Sequence, residues 1–202
     1  MKISLQNAGK RFNREWIFRS CSLDLLPNQS YAITGPNGSG KSTLLQVIAG
    51  ATLHSEGTVT YTGNDQQNIT EPYRYISLAA PYLELIEEMT ATEMLHFHSA
   101  FKPLTSSINE ILAAVQLDKA ATKQIRYFSS GMKQRLKLAQ AFFSDAPVLL
   151  LDEPTTNLDN EGISLYRDLI SRQLGQKLII TSSNVATEYD FCGAVLRVEE
   201  WK

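Results

Sequence analysis

A glycine-rich loop in the first quarter of the chain carries residue types suited to binding phosphate. It fits the pattern G-x-x-x-x-G-K-[ST] and consists of Gly35, Pro36, Asn37, Gly38, Ser39, Gly40, Lys41, Ser42 and Thr43. Glycines let successive backbone N–H groups converge on phosphate oxygens, and a helix that follows presents its positive end to the same anion. Lys41 can reach the β- and γ-phosphates of a nucleotide, and the Ser42 hydroxyl can ligate Mg²⁺. A tight glycine turn without a ligand is the alternative, and we disfavour it because the pattern rarely arises by chance.

Two adjacent acids follow an apolar run much later in the chain. Asp152 and Glu153 come directly after residues 148–151, which are all Val or Leu. A parallel strand beside the phosphate loop would place Asp152 at the shell of the Mg²⁺ ion. It would also place Glu153 where it can polarise a water aimed at the γ-phosphate. Two solvated acids at a strand end are the alternative, and the phosphate loop upstream favours the catalytic interpretation.

A third segment lies shortly before the acids. It reads Phe128-Ser129-Ser130-Gly131-Met132-Lys133-Gln134-Arg135-Leu136. Taken alone, it is typical of an ordinary helix N-cap. Together with the other two motifs it resembles the signature motif of the ATP-binding cassette (ABC) family, whose usual form is Leu-Ser-Gly-Gly-Gln followed by Gln-Arg. Ser129 matches the signature serine and Gly131 its second glycine, whereas Phe128, Ser130 and Met132 depart from the pattern.

The resemblance covers essentially the whole chain, because the three motifs occur in the family's order. The chain is similar to a single nucleotide-binding subunit of an ABC transporter. The resemblance implies ATP and Mg²⁺ as cofactors. It also implies a head-to-tail dimer with an identical or related subunit, in which ATP lies between the phosphate loop of one subunit and the signature motif of the other.

The resemblance also assigns roles to individual residues. Glu153 and Lys41 are expected to be catalytic. Asp159 in Asn-Leu-Asp matches the loop that follows the catalytic acid. Phe12 matches the aromatic residue that stacks on adenine in this family, with Trp16 a weaker candidate, and either side chain could instead belong to the core.

Two positions depart from the family in ways that bear on catalysis. The family carries a glutamine where the core meets the helical subdomain, and here that junction reads Ala79-Ala80-Pro81. The family also carries a histidine after the last core strand, and alignment on Cys192 puts Ser183 at that position. Ser183 or Asn184 can still donate a hydrogen bond to the nucleotide, but neither can carry positive charge, so we expect slow ATP hydrolysis. A degenerate subunit that binds ATP, dimerises and hydrolyses little is the alternative.

The elements that must position these residues can be predicted from hydrophobic patterning. Short apolar or alternating runs predict strands at residues 21–25, 31–34, 148–151 and 177–181. Helical patterns follow at residues 41–49, 91–101, 106–115, 131–143 and 162–174. Patterning therefore predicts an α/β fold with a mostly parallel sheet and an inserted helical subdomain. The resemblance implies in addition that the core is that of a P-loop NTPase with an N-terminal antiparallel β portion. We expect one ABC-type ATP-binding domain over residues 1–202, with the core at 1–78 and 144–202 and the helical subdomain at 79–143.

Composition narrows the class of protein further. A formal net charge of -2 with 20% charged residues argues against a nucleic-acid partner, and 43% hydrophobic residues indicate a folded protein. Two cysteines far apart predict reduced, buried thiols in a cytoplasmic protein. The N-terminus does not resemble a signal peptide, and no apolar run approaches the ~18 residues of a membrane-spanning helix.

These motifs bear on three candidate functions. The first is ATP hydrolysis that drives transport through a separate integral membrane subunit, with this chain peripheral at the inner face of the membrane. An ATP-dependent clamp on ribosomes or DNA is disfavoured because such proteins usually join two cassettes in one chain. A small-molecule kinase is disfavoured by the signature motif. The largely apolar stretch 82–86 is the expected contact with the membrane subunit, unless it packs into the helical subdomain.

Overall fold

The computed structural model describes residues 1–63 and 65–202 and contains two sheets. The first is antiparallel, with strand order β2-β1-β4. Its strands are β1 (Lys2–Phe12), β2 (Glu15–Leu25) and β4 (Glu56–Thr62). This sheet is the antiparallel β portion that the resemblance predicted, although sequence patterning had placed only the end of β2 within it.

The second sheet is parallel, and the phosphate loop and the two adjacent acids lie at the ends of its strands. Its order is β5-β6-β7-β3-β8, and every neighbouring pair runs in the same direction. The strands are β3 (Ser30–Thr34), β5 (Ile76–Ala79), β6 (Val148–Asp152), β7 (Leu178–Ser182) and β8 (Ala194–Arg197). Every residue of β6 and β7 is buried, as expected for central strands covered on both faces. The predicted α/β fold class is confirmed.

Five α-helices accompany the sheets in the described part of the chain. They are α1 (Lys41–Ile48), α2 (Ala91–Ser99), α3 (Ile108–Ala114), α4 (Ser130–Phe142) and α5 (Asn160–Ser171). Side chains fix the starts of α2 and α3, where Thr90 and Ser107 form capping boxes with Glu93 and Glu110. All five predicted helices are present with bounds shifted by a few residues.

The core lies on both faces of the parallel sheet. Along β6, Leu149 and Leu151 pack into a cluster with the helices of the middle segment and α5. Val148 and Leu150 point the other way, into a cluster with α1 and the antiparallel sheet. This alternation anchors β6 from both sides, so the acids at its end are attached to a rigid element. Within the described residues, no helix is long and apolar enough to cross a bilayer.

Both cysteines are held away from thiol chemistry. Cys21 lies in the core and Cys192 is partly buried, and neither forms a disulfide. Burial raises the pKa of each thiol to about 12, so both stay protonated at neutral pH. Cys21 is buried as predicted, whereas Cys192 is only partly buried.

A close approach of backbone fixes the register of the antiparallel sheet. Gly57 in β4 has φ +74°, and a Cβ built on it would lie 2.2 Å from the carbonyl oxygen of Asn7. The neighbouring pairing between β1 and β4 is irregular between Gln6 and Gly9. Only glycine fits this position, because both the dihedral angle and the space exclude a side chain.

Gly57→Ala should therefore lower the free energy of unfolding by about 3 kcal/mol or more, since an unfavourable φ and a backbone clash add together. Gly175→Ala is the matched control, because Gly175 has φ +73° but no heavy atom within 4 Å of its built Cβ. The control should lose only about 1–2 kcal/mol, the cost of the dihedral alone. Urea unfolding of both variants measures the difference, and equal losses would contradict the close-approach argument.

Candidate functional site

The phosphate loop connects β3 to α1 and bends through left-handed glycines. Gly38 and Gly40 have φ +77° and +102°, and a Cβ on Gly40 would lie 2.4 Å from the Ile17 side chain. Lys41 begins α1 and is only 5% exposed. Its Nζ donates hydrogen bonds to the carbonyl oxygens of Gly35 at 2.8 Å and Pro36 at 3.3 Å. The ammonium group is therefore held against the loop, where phosphate oxygens would meet it.

A cavity joins this loop to the acid at the end of β6. It is lined by Ile17, Asn37, Gly38, Gly40, Lys41, Ser42, Thr43 and Glu153. The structure thus brings Lys41 and Ser42 together with Glu153, which lies more than 100 residues later in the chain. Ile17, from β2, was missed by sequence reasoning, because a lone isoleucine in a strand carries no signal of ligand binding.

The end of β6 offers oxygen ligands beside this cavity. Asp152 is 2% exposed and pairs with Ser182 of the neighbouring strand β7. Within the described residues, Asp152 Oδ1 and the hydroxyls of Ser182 and Ser39 are buried without a hydrogen-bond partner. Buried polar atoms need partners, and hard oxygens are the ligands that Mg²⁺ prefers. The unpartnered carboxylate oxygen of Asp152 therefore suits Mg²⁺, most of whose other ligands would be waters. The described residues include no cluster of three or more His, Cys, Asp or Glu for an all-protein metal site.

Glu153 occupies a strained backbone conformation. Its φ is +42°, which is uncommon for a residue with a side chain, and its N–H donates to the carbonyl oxygen of Ser182 at 2.9 Å. Glu153 opens a loop of residues 153–159, which we call the acid loop. Gln134 of α4 is buried and donates from Nε2 to the carbonyl oxygen of Pro154 at 2.8 Å. Such contacts must hold the strained residue in place.

The signature residues form a second, separate cavity at the other end of the acid loop. It is lined by Ser129, Ser130, Gly131, Met132, Arg135, Asn157 and Asp159. Ser129 caps α4 by accepting the N–H of Met132 at 3.2 Å. A backbone hydrogen bond from Gly162 lowers the pKa of Asp159, and its ion pair with Arg135 adds to the effect. The first and second cavities share no lining residue, so one chain does not bring Lys41 and Ser129 together.

Phe12 lies outside the residues that line the first cavity. It ends β1 and is 49% exposed, with Lys10 Nζ 4.7 Å from its ring centroid. Trp16, the weaker candidate, has the guanidinium groups of Arg11 and Arg19 over its ring. Stacking of a base on Phe12 stays a prediction, supported by the exposure of its ring.

Ser183 does not face the cavity, which corrects its predicted role as a nucleotide contact. Its side chain is fully buried, and its Oγ accepts the N–H of Val185 at 2.8 Å. The next residue, Asn184, contacts the phosphate loop instead. Its Oδ1 accepts the N–H of Gly35 at 3.3 Å, and its Nδ2 donates to Asn37 Oδ1 at 3.1 Å. Asn184 is therefore the residue of this segment that contacts the phosphate loop.

The junction after β5 brings a tyrosine toward the same edge. β5 ends at Ala79, paired with Leu151, one residue before Asp152. Lys137 of α4 fixes the following turn by donating to the carbonyl oxygen of Pro81 at 2.8 Å. Burial raises the pKa of Tyr82, a hydrogen bond with Gln46 opposes this, and the charge of Asp152 adds to the rise. Tyr82 therefore stays a neutral hydroxyl near the acids.

Comparison with known proteins agrees with this geometry. The family model described as ABC transporter matches residues 18–156. The uncharacterized ABC transporter ATP-binding protein YybJ of Bacillus subtilis (strain 168) is 30% identical over 202 residues, covering 97% of this chain and 92% of YybJ. The sulfate/thiosulfate import ATP-binding protein CysA of Escherichia coli (strain K12) is 31% identical over 191 residues, covering 90% of this chain but 52% of CysA.

A solved structure supports the fold. The ATP-binding cassette MJ0796, described as a dimer in a post-hydrolysis state bound to ADP and Pi, superposes with a TM-score of 0.83 at 22% identity. The match covers 96% of this chain and 93% of that one. The ordered motifs, the sheet order and the family match lead to one conclusion: this chain belongs to the ABC transporter family.

Proposed function

We propose that this chain is the ATP-binding subunit of an ABC transporter and hydrolyses ATP to drive transport through a separate membrane subunit. The observation that carries the proposal is the single cavity in which Lys41, Ser42 and Glu153 meet. A phosphate-binding loop, a cation and an acid in one cavity are the parts that phosphoryl transfer to water requires. The family membership and the relatives' names support the same reaction.

Each residue has a distinct part in the proposed reaction. The phosphate loop and Lys41 hold the β- and γ-phosphates and offset their negative charge. Ser42 and Asp152 would hold Mg²⁺, which supplies further positive charge to the phosphate oxygens. The carboxylate of Glu153 accepts a hydrogen bond from the attacking water and orients it toward phosphorus. Asn184, which contacts the phosphate loop, offers a neutral amide and not a positively charged imidazole. The site therefore lacks one positive charge, and turnover is slow.

A dimer is the second part of the proposal. The signature residues Ser129 and Gly131 lie with Asp159 in a cavity that shares no lining residue with the first. We infer that a second identical or related subunit brings its signature cavity to the phosphate loop of this chain, with ATP between them. The dimeric cassette with the same fold supports this arrangement.

The membrane partner would contact a groove beside the junction. The groove is lined by Pro81, Leu83, Glu84, Leu85, Glu87, Lys133 and Lys137. Leu83 and Ile86 expose their apolar side chains, whereas Leu85 packs against the core. Tyr82 is exposed as well, and we assign the contact to the aliphatic side chains of Leu83 and Ile86. This contact would place the chain in the cytoplasm, at the inner face of the membrane. The net charge of -2 argues against a nucleic-acid partner.

Glu153→Gln tests the assignment of the catalytic acid. The amide keeps the shape of the acid but is a poor base, so hydrolysis should fall by about 100-fold or more while ATP affinity is kept. The trapped ATP should shift the chain to a dimer that dissociates when nucleotide is removed. Phosphate release and size-exclusion chromatography with light scattering measure both effects.

Two control variants make this result interpretable. Lys41→Ala should lose ATP binding, since it removes the cation of the phosphate loop. Glu200→Gln alters an exposed acid outside both cavities and should behave like the parent. Parental hydrolysis by Glu153→Gln would show that another group activates the water.

Asn184→His tests the missing positive charge. A protonated imidazole at this position should raise the hydrolysis rate by roughly tenfold, equivalent to about 1.4 kcal/mol of transition-state stabilisation. Ser183→His is the matched control, because the buried site has no room for an imidazole and the variant should lose stability without gaining activity. If only Ser183→His raised the hydrolysis rate, residue 183 and not residue 184 would be the nucleotide contact.

Leu83→Ser combined with Ile86→Ser tests the docking surface. Both side chains are exposed, so the double variant should fold and bind ATP normally but fail to co-purify with the membrane subunit. Phe101→Ser removes an exposed aromatic ring elsewhere and serves as the control. Unchanged assembly of the double variant would refute this location of the interface.

A further inference from the structure

Glu188 is a buried carboxylate outside both cavities. It lies in the short 3₁₀ turn Ala186–Glu188, which follows β7, and it is 2% exposed. Burying a carboxylate is costly unless hydrogen bonds compensate for the lost water. A leucine or methionine would fill such a position at lower cost. A hydrogen-bond acceptor at this position therefore calls for a role beyond filling space.

The contacts of Glu188 lead directly to the acid loop. Its Oε1 accepts the backbone N–H of Thr155 at 2.8 Å and also the hydroxyl of Thr155. Thr155 is two residues after Glu153. The other oxygen, Oε2, is buried and has no hydrogen-bond partner in the described part of the chain. The carboxylate is thus committed to Thr155 through one oxygen.

The main chain of Glu188 is fixed as well. Its carbonyl oxygen accepts the hydroxyl of Tyr166 from α5 at 2.7 Å, and its N–H donates to the carbonyl oxygen of Val185 at 2.9 Å. Tyr166 itself is fully buried. A side chain on such a rigid support holds its partner at a defined place.

The segment that joins β7 to this turn contacts the phosphate loop through Asn184. Asn184 bonds to Gly35 and Asn37, as described above, and Glu188 bonds to Thr155 four residues later. Residues 184–188 therefore connect the phosphate loop, which would hold the γ-phosphate, to the acid loop, whose first residue Glu153 would orient the attacking water. The bond to Thr155 also restrains Glu153, because the N–H of Thr156 donates to the carbonyl oxygen of Glu153 at 3.1 Å.

We propose that Glu188 is a positioning residue for ATP hydrolysis: by holding Thr155, it fixes the carboxylate of Glu153 relative to the phosphate loop. Glu188 touches neither nucleotide nor water in this scheme. It maintains the left-handed backbone of Glu153 together with Gln134, which holds the adjacent Pro154. The inference rests on the proposed role of Glu153.

Three variants test the inference in the full chain. Glu188→Ala removes both bonds to Thr155, and kcat should fall by about 10- to 100-fold, as expected for a misplaced catalytic group. The KM for ATP should change by no more than about threefold, because the phosphate loop is intact. Glu188→Gln keeps an oxygen acceptor for Thr155, so it should retain most of the parental kcat. Thr155→Val keeps the N–H but loses the hydroxyl, so its kcat should fall by less than that of Glu188→Ala.

Two further measurements separate positioning from a general structural role. Hydrogen exchange should accelerate at residues 153–159 in Glu188→Ala, while β6 and β7 keep their parental protection. The double variant Glu188→Ala with Thr155→Val should be no slower than Glu188→Ala alone, since both act through one contact. Glu200→Ala is the control and should leave kcat unchanged.

The outcomes distinguish this inference from the proposed function. If Glu153→Gln abolishes hydrolysis but a folded Glu188→Ala keeps the parental kcat, only the positioning role is overturned. If Glu153→Gln hydrolyses ATP like the parent, the role assigned to Glu153 fails, and the positioning role that rests on it fails as well. If the parent chain itself does not hydrolyse ATP, the proposed function fails. If Glu188→Ala does not fold, Thr155→Val decides: a lower kcat at constant KM supports the inference, and an unchanged kcat overturns it.

Discussion

The site depends on the parallel register of three strands that end at one edge of the sheet. The phosphate loop follows β3, Asp152 ends β6 and is followed by Glu153, and β7 leads into Ser183 and Asn184. Pairing of Asp152 with Ser182, and of Ile33 with the same residue, aligns these ends. Loops from the carboxyl ends of neighbouring parallel strands necessarily meet, so the sheet sets the geometry before any side chain contributes.

The acid loop is the element through which the separate parts of the chain communicate. Gln134 reaches it from α4, Glu188 from the turn after β7, and Arg135 binds Asp159 at its far end. Glu153 begins this loop, and the signature cavity includes its last residue. A displacement of α4 would therefore act on both cavities through a few hydrogen bonds, without any change in the sheet.

Sequence reasoning succeeded where a pattern is dictated by local physics. The central strands, all five helices and the phosphate loop follow from continuous apolar runs, helical periodicity and glycine spacing. Patterning did not predict four of the strands, because their residues form no run that distinguishes a strand from a loop: these are β1, β4, β5 and β8. Ser183 was assigned by counting across a loop, and the roles of Ile17, Tyr82 and Glu188 depend on contacts between distant residues. Such contacts leave no mark on a single sequence.

The protonated state of the two thiols has a practical consequence. At neutral pH a maleimide reacts with thiolate, so Cys21 and Cys192, whose pKa values burial raises to about 12, would be labelled slowly. A cysteine introduced on an exposed surface would keep its ordinary reactivity and outcompete both. Fluorophores could therefore be attached to the natural chain without first removing its own cysteines, and energy transfer between labelled copies would report how far apart they are.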